Sequence, residues 1–333
     1  MTPPSGEQIR ALPKVELHVH LEGTFRPERV AELATLVGEA PPRPVDQLFD
    51  VDNLADFLDT LDWVCGLVRD EPTAEQVAHD FAAYAHDQGI LYAEVIVNPT
   101  HWSGLSTEEL FSACAQGFDR AEADGLGDFR LLPSVLRQQT EQEARQLVAW
   151  IEGAALDRIV GLSIDGNEAA AGRTGPRFAS AYAEAGRIGL GRTAHAGESS
   201  GAEGVRDAIE LLGVSRIDHG VRCGEDPTAL ALVLEHDITL NVCLTSNCTL
   251  LYPNLDSHPI RDLADAGVRF TINTDDPETL GITLCGELQL AADHLGWDLG
   301  DLIAAQHRAI DAAFCSEVDK DALRRRLDQT VGT

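Results

Sequence analysis

The sequence predicts a single (β/α)8 TIM barrel with extra helices inserted after the first strand. Short β-rich runs alternate with longer amphipathic stretches, eight such runs can be placed, and 333 residues with 44% hydrophobic content can bury one large core. One domain, residues 1–333, accounts for the chain, because no repeat, low-complexity tract or linker divides it.

The first run, Val15–His20, carries His18 and His20 two residues apart. Side chains alternate faces along a strand, so both imidazoles point the same way and offer a metal two nitrogens; the plainer alternative is a polar strand face meeting water. The connection from Leu21 to Ile90 is too long for one helix. Within it Leu54, Phe57, Leu58 and Leu61 recur at helical spacing, followed by Trp63 and Val64, as in a helix packed on the core or a hydrophobic lid over the barrel mouth.

The second and third runs, Leu91–Val97 and Phe129–Leu136, flank the amphipathic stretch Thr107–Ala123, and Glu141–Ala154 leads to the fourth, Ile159–Ile164. Phe178–Ala185 precedes the fifth, Arg192–His195, which runs into His195-Ala196-Gly197-Glu198. The sixth, Arg216–His219, ends in Asp218-His219-Gly220. Pro227–Glu235, with its proline at the first helical position, leads to Thr239–Cys243 and then Arg269–Asp275, which ends in Asn273-Thr274-Asp275-Asp276-Pro277.

Composition narrows the function. A net charge of −30, from 55 acidic against 25 basic residues, repels a phosphate backbone, which argues against nucleic acid as a partner, although acidity also serves solubility. There is no Gly-X-X-X-X-Gly-Lys-Ser/Thr loop for a nucleotide triphosphate, so a neutral or weakly charged small substrate is expected. No apolar run approaches the roughly 20 residues of a membrane span, and the Met1–Gly6 start lacks a charged and apolar leader, so a soluble cytoplasmic protein is expected. The 7 cysteines are scattered with no Cys-X-X-Cys pair, which leaves any metal to nitrogen and oxygen ligands.

A barrel of this kind builds its active site where strands end. Three imidazoles and one carboxylate, His18, His20, His195 and Asp275, suit one Zn2+ with a position left open for water. Glu198 can donate a proton, His219 can orient or deprotonate the water, and Asp276 can hydrogen-bond a substrate nitrogen. Singly, these residues also read as a core histidine, a helix-start acid and an ordinary turn; together, at the ends of successive strands, they read as a site.

The segments Lys14-Val15-Glu16-Leu17-His18-Val19-His20-Leu21-Glu22-Gly23, His195-Ala196-Gly197-Glu198, Ser246-Asn247 and Thr274-Asp275-Asp276-Pro277 resemble, in order, the signatures of the adenosine deaminase family of the metal-dependent amidohydrolase superfamily. The resemblance spans Pro13 to Pro277, and the Asp311-Ala312-Ala313-Phe314 tail is similar too. It implies a zinc hydrolase that replaces the exocyclic amine of a 6-aminopurine nucleoside, adenosine or a relative such as 6-amino-6-deoxyfutalosine, with oxygen and releases ammonia. It further implies that Glu198 protonates N1, His219 assists deprotonation of the attacking water, Asp276 contacts N7, and the Gly166 amide faces N3.

Three departures bear on the substrate. Glu22 stands where adenosine-specific members more often carry Asp near the ribose, Ser163-Ile164-Asp165-Gly166 replaces Asp-Leu-Ala-Gly, and Asp218 replaces Gly. Relatives acting on adenine often carry Glu and Asp at the first and third of these positions, so free adenine is the alternative substrate. A carboxylated nucleoside would need a cation, for which Arg26, Arg137, Arg173 and Arg222 are candidates, with pairing to surface acids as the plainer role. A hydrolase acting on another C–N bond is disfavoured because Glu198 suits a ring nitrogen, and a barrel without catalysis because the full set is intact.

Overall fold

The apolar runs call for parallel strands covered on both faces, and the computed structural model, in which residues 3–50 and 54–331 are described, shows them. The strands are β1 (Lys14–His20), β2 (Ile90–Val97), β3 (Asp128–Leu136), β4 (Gly161–Asp165), β5 (Gly191–Arg192), β6 (His195–Ala196), β7 (Arg216–His219), β8 (Thr239–Val242) and β9 (Arg269–Ile272). They pair in parallel in the orders β1-β2-β3-β4-β5 and β6-β7-β8-β9.

β5 and β6 are two halves of the fifth barrel strand. Across the break Thr193 N donates to Leu162 O at 3.0 Å and Asp218 N to Ala194 O at 2.9 Å, so the strand stays attached on both sides. The ring closes where β1 meets the chain beyond β9: His20 N donates to Asp275 O at 2.8 Å, and Asp275 N to His18 O at 3.2 Å. The chain thus forms the (β/α)8 barrel expected of it.

Two strand boundaries differ from expectation for local reasons. The eighth strand stops at Ile272 rather than Asp275 because side chains take over the pairing: Leu17 N donates to Asn273 Oδ1 at 2.9 Å and Thr274 N to Glu16 Oε1 at 2.9 Å. The fourth begins at Gly161, since Ile159 makes only an isolated bridge to Leu131. The helices Thr107–Ala123 and Glu141–Ala154 start where capping boxes at Ser106/Glu109 and Thr140/Glu143 satisfy their first N–H groups. Pro227–Glu235 starts on its proline, with Asp226 accepting from Thr228 N. Phe178–Ala185 is the middle of a longer helix, Gly175–Arg187.

Among the described residues the insertion after β1 holds three α-helices, Pro27–Val37, Leu54–Gly66 and Glu71–Asp87. The side chain of Leu54 lies outside the described residues. All 7 cysteines are free, and among the described residues no helix is long and apolar enough to cross a membrane.

The tail closes the end of the barrel opposite the site. Arg216 is fully buried, pairs with Glu94 at 2.6 Å, donates to Ala312 O at 2.9 Å and lies 3.6 Å over the Phe314 ring. The ring takes the space a side chain would need at Gly161 and Gly191, where an added Cβ would come within 2.8 and 2.2 Å of it. Gly191→Ala is therefore expected to cost about 1–3 kcal/mol through overpacking. A thermal melt reads it, and an unchanged Tm would contradict this plug.

Candidate active site

Parallel strands aim their C-terminal ends at one mouth, and there the histidines converge. His195 Nε2 lies 3.1 Å from His18 Nε2 and 3.0 Å from His20 Nε2. Asp275 Oδ1 lies 3.0 Å from His18 Nε2 and 3.3 Å from His20 Nε2. His195 Nδ1 faces Ile164 O at 2.9 Å and His18 Nδ1 faces Asn241 O at 3.3 Å. Those carbonyls take the Nδ1 protons and leave the Nε2 lone pairs pointing at one another, an arrangement that calls for a cation between them.

Ligands about 2.0–2.2 Å from one small ion sit roughly 3 Å apart, so this nitrogen and oxygen set fits Zn2+. A wider grouping, with ligand atoms within 4.8 Å of one another, joins His219 to His18, His195 and Asp275. The short contacts instead make His20 the fourth member, while His219 Nε2 stands 3.8 Å from Asp275 Oδ2 and 3.4 Å from Glu198 Oε1. The structure thus brings His18, His20, His195, Asp275, His219 and Glu198 together at one mouth.

The backbone is strained where it delivers these groups. His219 (φ 62°) and Asp275 (φ 70°) are left-handed without being glycine, at a cost of order 1–3 kcal/mol each. Contacts hold them there: Ser246 Oγ donates to Asp275 Oδ2 at 2.7 Å, and Asn247 Nδ2 lies 3.0 Å from His219 Nδ1. Gly197 (φ 62°) makes the turn to Glu198, where a Cβ would come within 2.5 Å of Val205.

Glu168 was not anticipated. Its carboxylate accepts from Gly197 N at 3.0 Å and from Glu198 N and Ser200 N at 3.1 Å, and so holds the turn that carries Glu198. Its position just after Ile164-Asp165-Gly166-Asn167 was the available signal, but an acid opening a helix reads first as a dipole partner.

Burial sets the protonation of the site. Burial, then Asp275 and Glu168, push the Glu198 carboxyl up to about 8. Burial, Asp275 and Glu22 likewise hold Asp276 well above the usual carboxylate range. Glu22 is raised by burial. Burial opposes a charge on Asp275, but His18 and His219 hold it low, whereas burial and the neighbouring imidazoles keep His195 neutral.

Two of the buried oxygens without a hydrogen-bond partner among the described residues belong to cavity-lining acids: Glu22 Oε2 and Asp276 Oδ1. Glu22 Oε1 is locked by Asn98 N and Trp102 Nε1, both at 2.8 Å. Both acids line the cavity, as do Asp165, Gly166 and Glu198. Phe57, Leu58 and Leu61 of the inserted helix, with Leu250, form the apolar part of its lining, while Val64 and Cys65 of the same helix pack in the core. His101 pairs with Asp62 at 2.5 Å and ties that helix to the loop after β2; burial opposes its charge, but Asp62 and Glu22 hold it up at about 9.

Two departures and four arginines are relocated by the structure. Ser163 and Asp218 are fully buried and touch each other (Oγ to Oδ2, 3.4 Å), and Asp218 lies 3.9 Å from His18 Nδ1 and 3.7 Å from His195 Nδ1. They stand behind the histidines and do not line the cavity. None of Arg26, Arg137, Arg173 and Arg222 lines the cavity. Arg137 donates to His195 O from behind, Arg173 pairs with Asp207 at 2.7 Å, and Arg222 pairs with Glu225 at 2.8 Å.

Residues 13–330 match the profile of a protein family described as adenosine deaminase. The chain is 36% identical to an aminodeoxyfutalosine deaminase of Acidothermus cellulolyticus, over 98% of this chain and 94% of that one. It is 33% identical to an adenine deaminase of Rhodospirillum rubrum, over 96% of this chain and 97% of that one. A solved amidohydrolase from Burkholderia ambifaria with bound Zn superposes with a TM-score of 0.90 at 28% identity, covering 100% of this chain and 95% of that one.

Glu168→Ala leaves three N–H groups without their acceptor, a loss of about 1–3 kcal/mol for such groups when buried. It should speed amide hydrogen exchange at Gly197, Glu198 and Ser200, and unchanged exchange there would show that other contacts hold the turn.

Proposed function

Since the chain belongs to the adenosine deaminase family, we propose that it hydrolyses the exocyclic amine of a 6-aminopurine nucleoside, releasing ammonia and the 6-oxopurine. The observation that carries this reading is the convergence of His18, His20, His195 and Asp275 beside a carboxyl, Glu198, that burial keeps protonated. Those four residues would hold one Zn2+, which when bound acts as a Lewis acid and lowers the pKa of water toward about 7.

The chain's own groups answer the remaining demands of the chemistry. Attack at C6 breaks the aromaticity of the ring, and a proton on N1 relieves the charge that results. Glu198 is the donor: below about 8 its carboxyl carries a proton, and it lines the cavity. N7 is an acceptor and needs a hydrogen, which Asp276, kept neutral by burial and by Asp275, can give through its unpartnered Oδ1. Gly166 lines the same cavity, where its amide can meet N3.

Substrate size turns on Glu22. For a nucleoside, its free Oε2 would meet a ribose hydroxyl, and a carboxylated substituent would find its cation in His101 and not in an arginine. A second reading, free adenine, is favoured by the burial of Glu22, which fills space that a shorter acid leaves open, and by relatives named for adenine.

Zinc-loaded protein assayed in parallel on adenosine, adenine and 6-amino-6-deoxyfutalosine should change the ultraviolet spectrum of at least one as ammonia appears. Silence on all three would sink the proposal. Glu198→Gln should lower turnover by at least about a hundredfold with zinc still bound. His18→Ala and Asp275→Ala should each lower bound zinc, read by elemental analysis after dialysis; full occupancy in either would exclude that residue as a ligand.

A further inference from the structure

Resting on the deaminase reading, we infer that Asn247 and His258 fix the proton of His219 on Nε2, so that His219 serves the reaction as a hydrogen-bond donor and not as the base that deprotonates the water. The inference starts from a group whose polarity is beyond choice. Ile260 N–H, a backbone donor, lies 3.1 Å from His258 Nδ1, which must therefore accept. A neutral His258 then carries its proton on Nε2.

That proton needs an acceptor, and the atom 3.2 Å away is Asn247 Oδ1. The orientation of the amide follows from its neighbours: its other end, Nδ2, is a donor and lies 3.0 Å from His219 Nδ1. His219 Nδ1 accepts, so the proton of the neutral ring is on Nε2. Burial, aided by His294, holds His258 down at about 4, so the starting ring is neutral through the physiological range.

The relay is sealed: Ile260, Asn247, His219 and His258 are all buried, and Tyr252 covers the His258 ring edge-on at 5.1 Å. At its far end His219 Nε2–H points between Glu198 Oε1 at 3.4 Å and Asp275 Oδ2 at 3.8 Å. A donor placed there can hold the oxygen that attacks C6 and stabilise the negative charge growing on it.

The proton balance closes without a histidine base. The water oxygen bonds to C6 and the C6–N1 π pair moves onto N1. N1 takes the proton of Glu198, and the proton of the water replaces it on that carboxylate. Glu198 then gives this proton to the exocyclic amine, which leaves as ammonia with the C6–N bonding pair, while the hydroxyl on C6 becomes the oxo group and its proton returns to the Glu198 carboxylate. Asn247 and His258 touch none of the reacting atoms and act as positioning residues for His219.

The test begins with zinc-loaded protein labelled with 15N-histidine and no substrate, so its outcome does not depend on which purine is turned over. One-bond N–H coupling is expected at Nε2 of His219 and of His258, with bare Nδ1 in both; a proton on His219 Nδ1 would overturn the inference. Asn247→Asp presents only acceptors and should move the His219 proton to Nδ1. With the preferred substrate of the panel, kcat should then fall by about a hundredfold while KM and zinc content change little. Were His219 the base, this variant, with its bare Nε2, would keep or raise kcat. His258→Gln retains a donor toward Asn247 and should restore most of the rate lost in His258→Leu, whereas equal loss in both would reduce His258 to packing and overturn the relay.

Discussion

The structure depends on one closure, the pairing of β1 with the chain beyond β9. His20 N to Asp275 O and Asp275 N to His18 O are ordinary backbone hydrogen bonds, but they join residues more than 250 positions apart and complete the barrel. The same residues carry the side chains that converge at the mouth. Closing the fold and assembling the site are therefore a single event, and neither end of the chain offers more than half a site alone. Side chains reinforce the seam where the ladder fails, through Asn273 on Leu17 and Glu16 on Thr274.

Burial at that seam is costly and chemically useful for the same reason. Carboxyls removed from water resist ionisation, so Glu198 and Asp276 are kept neutral, while Asp275 stays charged because histidines surround it. Three acids, one beyond β6 and two beyond β9, thus take two protonation states from their surroundings alone. Left-handed backbone at His219 and Asp275 is maintained by Ser246 and Asn247, which are supplied by the helix after β8. The chain as a whole carries a net charge of −30, whereas the mouth gathers histidines and Asp275 into a set that fits a cation.

Much of this was legible in the sequence because barrel strands announce themselves by period and by the residues that end them. Thr107–Ala123, Glu141–Ala154 and Arg216–His219 form with the expected bounds, since caps and strand ends are local signals. The split of the fifth strand was not legible, because Thr193 and Ala194 look like strand residues and only their neighbours show the irregularity. Glu168, His101, Trp102 and His258 were equally silent. Glu168, His101 and Trp102 work through partners tens of residues away and His258 through one eleven away, and nothing local distinguishes such an acid or ring from a surface one.

The sequence by itself determined the family and the parts of the site: the types and order of the metal-fitting residues, the acid after Gly197, and the barrel that unites them. Tertiary structure alone decided what each departure means. Glu22 faces the cavity with a free oxygen, whereas Ser163 and Asp218 meet behind His18 and His195 and do not line it. The physical reason is that a motif states which group is present, while its role depends on what it faces. That is set by strands brought together only when β1 closes on Asp275.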